Sequence, residues 1–259
     1  MYGYGYSYNV RPNAATVFGF NPATAANTIG FFDPSVSTSV NLGSPTDTDP
    51  IDNLADLSSA GNDAPQEVVA RQPEWKTTYM NFDTDALKLD AVQADFMSAT
   101  QGTIIVRCNP DDGTPTAIER IYSFADTSGA NDYFLFQIQT DGKIKVVFRV
   151  GGVNQWVLDT DNAVMSTATW AELALVQDAV SPVLYVDNVA VAQTLSTSTD
   201  TTAWFNDFTD VDNGKLGALQ FNGVAEGSYF QGTFQAAYFS TDAKDASWLA
   251  NFNAYNPIS

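Results

Sequence analysis

An all-β fold of successive antiparallel strands is what this chain of 259 residues predicts. Three observations lead there. Short apolar and aromatic runs recur at regular intervals from residue 102 to residue 240, which is strand spacing rather than helix spacing. Turn-forming residues separate most of those runs. Hydrophobic residues make up 44% of the chain and aromatics 13%, a richness typical of sheet cores.

Taken in order, residues 1–30 form a Tyr/Gly-rich arm in which Tyr2, Tyr4, Tyr6 and Tyr8 alternate with small residues. No apolar period marks a strand or helix there, yet exposed rings are poorly matched to water. The segment is expected to be an assembly arm that gains order by docking on a neighbour, with a disordered tail as the other reading. Residues 31–90 read as loops and the first strand or strands of the sandwich. The body, 91–259, carries strand candidates at 102–107, 118–125, 133–140, 144–150, 155–159, 170–177, 182–186, 214–219 and 228–240. Asp141-Gly142 between two apolar runs is the strongest hairpin signal, and Asp187-Asn188 supplies a second tight turn. At the end, Trp248, Phe252 and Tyr255 fall on one face of a helix that Thr241 or Asp242 can cap. Pro257 lies beyond its end, and the helix is expected to be a lid on a sheet edge.

Composition excludes several functions. Thirty acidic residues against eleven basic ones give a net charge of -19, which repels a phosphate backbone, so nucleic acid is not an expected partner. There is no histidine, hence no Ser-His or Cys-His dyad and no histidine zinc site. Cys108, the single cysteine, sits in an apolar run and reads as a core residue. No run reaches the roughly 20 apolar residues a membrane helix needs, so insertion in a membrane is not expected. The first residues lack a basic segment followed by an apolar one, so synthesis in the cytoplasm without a signal peptide is the expectation.

Four motifs in order, Phe32-Asp33-Pro34-Ser35, the stretch 54–63 with Asp56, Ser58, Gly61 and Asn62, then Arg71-Gln72-Pro73-Glu74-Trp75 and Asn81-Phe82-Asp83, resemble the opening segment of jelly-roll proteins among tailed-bacteriophage structural proteins. Ala60 and Asp63 depart from that pattern, which usually has a polar residue and a histidine there. Trp170 with the Leu184-Tyr185-Val186-Asp187-Asn188 hairpin, and the stretch 229–239, resemble the middle and late signatures of the laminin-G-like, concanavalin A-like jelly roll. Asn188 stands where that family prefers glycine. The resemblance spans about residues 30–255 and implies a two-sheet antiparallel jelly-roll sandwich with a short C-terminal helix. It further implies a non-enzymatic virion protein (head decoration, fibre or tail component) whose partners are other virion proteins, copies of itself and host-surface glycans.

Candidate chemistry is sparse. Enzymes on this fold present two glutamates close together on one strand, and here Glu67, Glu74, Glu119, Glu172 and Glu226 are widely spaced, so no catalytic residue is assigned. Asp159 and Asp161 in one loop, Asp210 and Asp212 in another, are candidate calcium ligands, with ordinary turn formation as the alternative; no cofactor is required. For a glycan, Trp204 beside Asn206 and Asp207 fits best and Trp156 near Asn154 second, because a ring can stack on a sugar while amides and carboxylates meet its hydroxyls. A polysaccharide-degrading enzyme and a free carbohydrate-binding module are the rival readings.

Overall fold

The computed structural model describes residues 20–36, 39–40 and 46–255. In chain order its elements are β1 (Thr28–Phe32), β2 (Asn53–Leu54), β3 (Ala64–Pro65), β4 (Glu74–Lys76), β5 (Tyr79–Phe82), β6 (Leu87–Lys88), the helix α1 (Asp90–Phe96), β7 (Gly102–Pro110), β8 (Glu119–Ala125), β9 (Tyr133–Ile138) and β10 (Ile144–Val150). There follow β11 (Val153–Thr160), β12 (Ala171–Gln177), β13 (Pro182–Val186), β14 (Val189–Ala190), β15 (Gln193–Ser198), β16 (Asn213–Leu216), β17 (Gly232–Ser240) and the helix α2 (Ala246–Tyr255).

The strands form two antiparallel sheets packed as a sandwich. One runs β14-β13-β12-β7-β17-β5-β4, with β1 also paired to β17; the other runs β15-β11-β10-β9-β8-β16-β6. Alternation along each strand sends every second side chain into the space between. There Ile104, Val106, Leu173, Leu175 and Phe239 of the first sheet meet Tyr122, Phe124, Phe134, Phe136 and Phe148 of the second. Cys108 lies in this core with no exposure, and burial pushes its thiol well above the ordinary range, as the sequence reading of a packing residue requires.

β7 and β12 are buried along almost their whole length rather than on alternate residues. The cause is a second layer. On the outer face of the eight-stranded sheet, Phe31, Ile105, Ala174, Val176 and Tyr238 form an apolar stripe that α2 covers with Leu249 and Phe252. Trp248 and Phe252 stack at 5.5 Å, and Trp248 lies 4.7 Å from the Tyr238 ring. The helix expected on a sheet edge therefore lies on a sheet face, because that is where the apolar stripe is.

Other differences from expectation have local reasons. Residues 28–30 fall within the segment assigned to the arm, yet together with Phe31 and Phe32 they are buried as β1 against β17, since Ile29, Phe31 and Phe32 supply both faces. The arm tyrosines Tyr2, Tyr4, Tyr6 and Tyr8 lie outside the described residues. Helix α1 was not anticipated; its buried contacts come from Val92, Gln93 and Phe96 alone. β15 was missed because QTLSTS is an edge strand with little apolar pattern. The Asp56 motif is explained by its carboxylate, which accepts from the backbone N–H of Phe31, Ser58 and Asn62 at 2.9, 2.8 and 3.0 Å and so folds the loop onto β1. Asp187 and Asn188 adopt φ of 48° and 65°, the left-handed pair that a two-residue hairpin demands.

Candidate functional site

The outer face of the seven-stranded sheet carries the candidate site. Strand register sorts its outward side chains into three rows. Arg120, Gln137, Lys145 and Asp159 form the first, Lys215, Ser123, Leu135 and Val147 the second, and Ala125, Tyr133, Arg149 and Asn154 the third. The loop after β16 folds over one side of this face, packing Leu219 and Phe221 against Ala125, Leu135 and Tyr133, with the Phe221 and Tyr133 rings 6.2 Å apart. What remains is an apolar floor of Leu135 and Val147 with polar and basic groups around it.

In so acidic a chain the cations on this face stand out, and they divide into two kinds. Lys145 pairs with Asp159 at 3.2 Å and Lys215 with Glu226 at 2.9 Å. Arg120 and Arg149 have no acidic partner among the described residues. The Arg149 guanidinium lies 5.6 Å from the centre of the Tyr133 ring, and its Nη1 donates to Asn154 Oδ1 at 3.3 Å. Nε and Nη1 of Arg120, Nε of Arg149 and Oε1 of Gln137 find no hydrogen-bond partner among the described residues, although all are buried. Burial without a counter-charge pushes the Arg120 pKa down to about 10, with Tyr133 acting in the opposite sense. A guanidinium so placed retains its charge at neutral pH and gains from any anion that reaches it. Two such forks flanking a phenol ring and an amide can hold a carboxylate together with neighbouring hydroxyls.

Beside Arg120 lies a second feature. The strap of residues 227–231 crosses the end of β8, where Arg120 N–H donates to the Ser228 carbonyl at 3.0 Å and Gln231 N–H to Glu119 Oε2 at 3.1 Å. On its far side is an open cavity of about 270 Å³, lined by Asp83, Asp112, Glu119, Tyr229 and Gln231 among others. Burial, with Asp111 and Asp112 nearby adding to it, pushes the Glu119 pKa up to about 7.

The residues expected from sequence are distributed differently. Trp204 and Trp156 are wholly buried; they stack on each other at 6.3 Å and on Phe148 at 5.9 and 5.3 Å, so neither ring has a face open to a sugar. The assignment to ligand stacking is corrected: both are core, with Trp156 Nε1 donating to the Ala203 carbonyl at 3.0 Å. Asp207 accepts from Trp204 N–H at 3.0 Å and closes a turn, and exposed Asn206 donates its N–H to the Ala99 carbonyl. Asn154 alone of that set lies at the candidate site. The four aspartates considered for calcium do not converge. Asp159 and Asp161 accept from Ser196 and Thr194 of β15 at 2.6 and 2.7 Å. Asp212 accepts from Thr127 N and Oγ1 and Asp210 from Thr209 Oγ1. Among the described residues no three His, Cys, Asp or Glu side chains gather to hold a metal ion, and no helix is long and apolar enough to cross a membrane.

Sequence reasoning missed Arg120, Tyr133, Gln137 and Arg149. A signal was present for Arg149, which follows core Phe148 in VVFRV and is aimed outward by strand alternation; Arg120 gave none, because a bulge between it and core Tyr122 breaks the alternation of IERIY.

No protein-family model matches the chain, and no curated protein matches it. Solved structures do. The CBM40 of the Ruminococcus gnavus IT-sialidase, solved bound to α2,3-sialyllactose, superposes with a TM-score of 0.52 at 20% identity, over 62% of this chain and 86% of that one. A NanB sialidase from Streptococcus pneumoniae gives 0.59 at 17% identity over 70% of this chain and 28% of its own. A Trypanosoma rangeli sialidase gives 0.59 at 11% identity over 89% of this chain and 33% of its own. The chain thus spans a third or less of the two larger sialidase chains it matches. At these identities the likeness is one of fold, a two-sheet antiparallel jelly-roll sandwich.

Proposed function

We propose that this chain is a glycan-binding module whose ligand carries a carboxylate, held on the outer face of the seven-stranded sheet by Arg120 and Arg149. One observation carries the reading: two guanidiniums with buried N–H groups and no acidic partner among the described residues, on one sheet face with Arg120 beside Gln137 and Arg149 beside Tyr133, in a chain of net charge -19. An unpaired buried cation is costly, and retaining two on one face is accounted for by an anionic ligand. The sialyllactose complex of the R. gnavus CBM40 supports this choice of glycan, since sialic acid is a carboxylate-bearing sugar. The role is binding rather than cleavage. Calorimetric titration with 3′-sialyllactose and with lactose tests it: the first is expected to bind and the second to bind at least tenfold more weakly. Equal affinities, or no binding of either, refute the reading, and release of free sialic acid would replace it by an enzymatic one.

The resemblance of the opening segment to phage structural proteins supports a second reading, in which the module is displayed on a virion and residues 1–19 fasten it to other virion proteins or to its own copies. Particles that still incorporate the protein after deletion of 1–19 would refute that anchoring.

A further inference from the structure

The open cavity beyond the strap of residues 227–231 plays no part in the proposed glycan site, and its lining is one-sided. Asp83, Asp112 and Glu119 contribute carboxylates, and no lysine or arginine lines it. Arg71 comes close to its wall but is engaged. The guanidinium lies 4.6 Å from the centre of the Tyr229 ring, and its Nη1 donates to the Thr84 carbonyl at 2.8 Å. Asp83 and Asp112 are exposed on the rim, whereas Glu119 is 6% exposed. Glu119 opens β8, paired with Ile138 of β9, and Gln231 of the strap closes over it. The Gln231 N–H donates to Glu119 Oε2 and its side-chain amide to Asp83 Oδ1, both at 3.1 Å. Glu119 Oε1 has no donor and the carboxylate no cation among the described residues. That oxygen is not sealed between packed strands; it keeps surface on the cavity.

A buried carboxylate short of one donor, facing an open space with two more carboxylates on its rim, is complementary to a cation. The rest of the lining selects the kind. The acidic side chains do not gather closely enough to hold a metal ion. Pro115, Ala117 and Ile118 give the cavity an apolar side, and Ile118 is 37% exposed there. An ammonium group carries three donors that can serve separated carboxylates, while an aliphatic stem covers apolar surface. At about 270 Å³ the cavity has room for a short alkyl chain rather than a larger ligand.

We propose that this cavity binds a primary alkylammonium group, with Glu119 as the carboxylate that receives it and Asp83 and Asp112 steering it from the rim. The site stands apart from Arg120 and Arg149, whose side chains belong to the outer sheet face. The ligand competes with a proton. Burial, with Asp111 and Asp112 adding to it, pushes the Glu119 pKa up to about 7. On binding, the Glu119 proton leaves to solvent and the ammonium takes its place, so charge is conserved. The groups that face Glu119 are Asp111 and Asp112 from the loop after β7, Tyr229 and Gln231 from the strap, and uncharged Ile138 from β9. None of them is a cation, and a primary amine stays protonated through pH 8.

Amide chemical-shift titration of the intact protein at pH 6 and pH 8 tests the site, with 1,5-diaminopentane and Nα-acetyl-lysine amide as ligands and 1-pentanol as the uncharged control. An amine is expected to shift the Gln231 N–H and to bind about tenfold more tightly at pH 8, because with a pKa of about 7 the ionised fraction of Glu119 rises roughly tenfold over that range. Glu119→Gln, which keeps the acceptor for Gln231, should weaken binding at pH 8 about tenfold and remove its pH dependence, and Asp112→Asn should weaken it about threefold. Asp178→Asn removes the same charge just after β12, at the opposite end of β7, and should bind as wild type does. Binding of the lysine derivative assigns a lysine side chain as the source of the ammonium, and binding of the diamine alone assigns a free polyamine. A dispersed spectrum confirms that each variant is folded, and Asp112→Asn decides if Glu119→Gln is not. The proposal is overturned by absence of a shift with both amines, by equal binding of 1-pentanol, by an affinity that does not change with pH, or by an equal loss in Asp178→Asn.

Discussion

Replacing Arg120 with Gln is expected to weaken ligand binding and to strengthen the fold. Its guanidinium pKa falls from 12.5 to about 10 on folding because it is buried without a carboxylate. The group stays protonated up to that pH, so the folded state bears the full cost of holding the charge everywhere below about pH 10. At about 1.4 kcal/mol per pKa unit the shift corresponds to roughly 3 kcal/mol. Arg120 is only partly buried, however, so solvent screening reduces this. Lost packing of its aliphatic stem offsets more. A net gain of about 1 kcal/mol remains, worth roughly 2–4 °C in melting temperature for a chain of this size. On the binding side, truncating a charge-assisted donor pair costs about 2 kcal/mol, or roughly thirtyfold in affinity for 3′-sialyllactose. Differential scanning calorimetry and titration on the same preparation read both quantities. An arginine that merely held the sandwich together would show the opposite pattern, so a lower melting temperature with unchanged affinity refutes the reasoning.

Three further outcomes follow from the same structure. Glu119, with its pKa raised to about 7 by burial and by Asp111 and Asp112, favours the folded state only when protonated; its stabilisation is complete below about pH 4.5 and is lost as pH rises through 7. Thermal melts between pH 5 and 8 should therefore show a decline that Glu119→Gln flattens. Trp204→Ala empties a wholly buried indole site and should cost about 3–5 kcal/mol in urea unfolding, while Trp204→Phe should leave sialyllactose affinity unchanged, since the ring lies away from the ligand face. Asp56→Ala removes an acceptor shared by three backbone N–H groups. It should destabilise the protein by about 2 kcal/mol and raise hydrogen exchange first at Phe31, Ser58 and Asn62.

How much was legible in the sequence depends on whether the cause was local. Strand β10 was placed to the residue because the period-2 pattern of IKVVFRV is local information, and the Asp187-Asn188 turn because only a few residue types accept positive φ at successive positions. The helix α2 was readable from the spacing of its aromatics. Its seat was not, since that depends on an apolar stripe assembled from Phe31, Ile105, Ala174 and Tyr238, residues far apart in the chain. The tryptophans were misplaced for the same reason: Trp204 in a Ser/Thr-rich stretch looks like a loop ring, and only the packing of Phe96, Phe134 and Phe148 around it makes it core.

The sequence by itself determined the all-β class, the position of most strands and the exclusion of histidine-dependent chemistry, because alternation, turn propensity and composition are properties of neighbouring residues or of the whole sum. Tertiary structure alone decided which side chains lie together. Arg120 and Arg149 are 29 positions apart and read as unrelated surface charges; antiparallel register across β8, β9 and β10 brings both to one sheet face, Arg120 beside Gln137 and Arg149 beside Tyr133, and burial, not residue type, strips them of solvent and leaves several of their donors unpartnered.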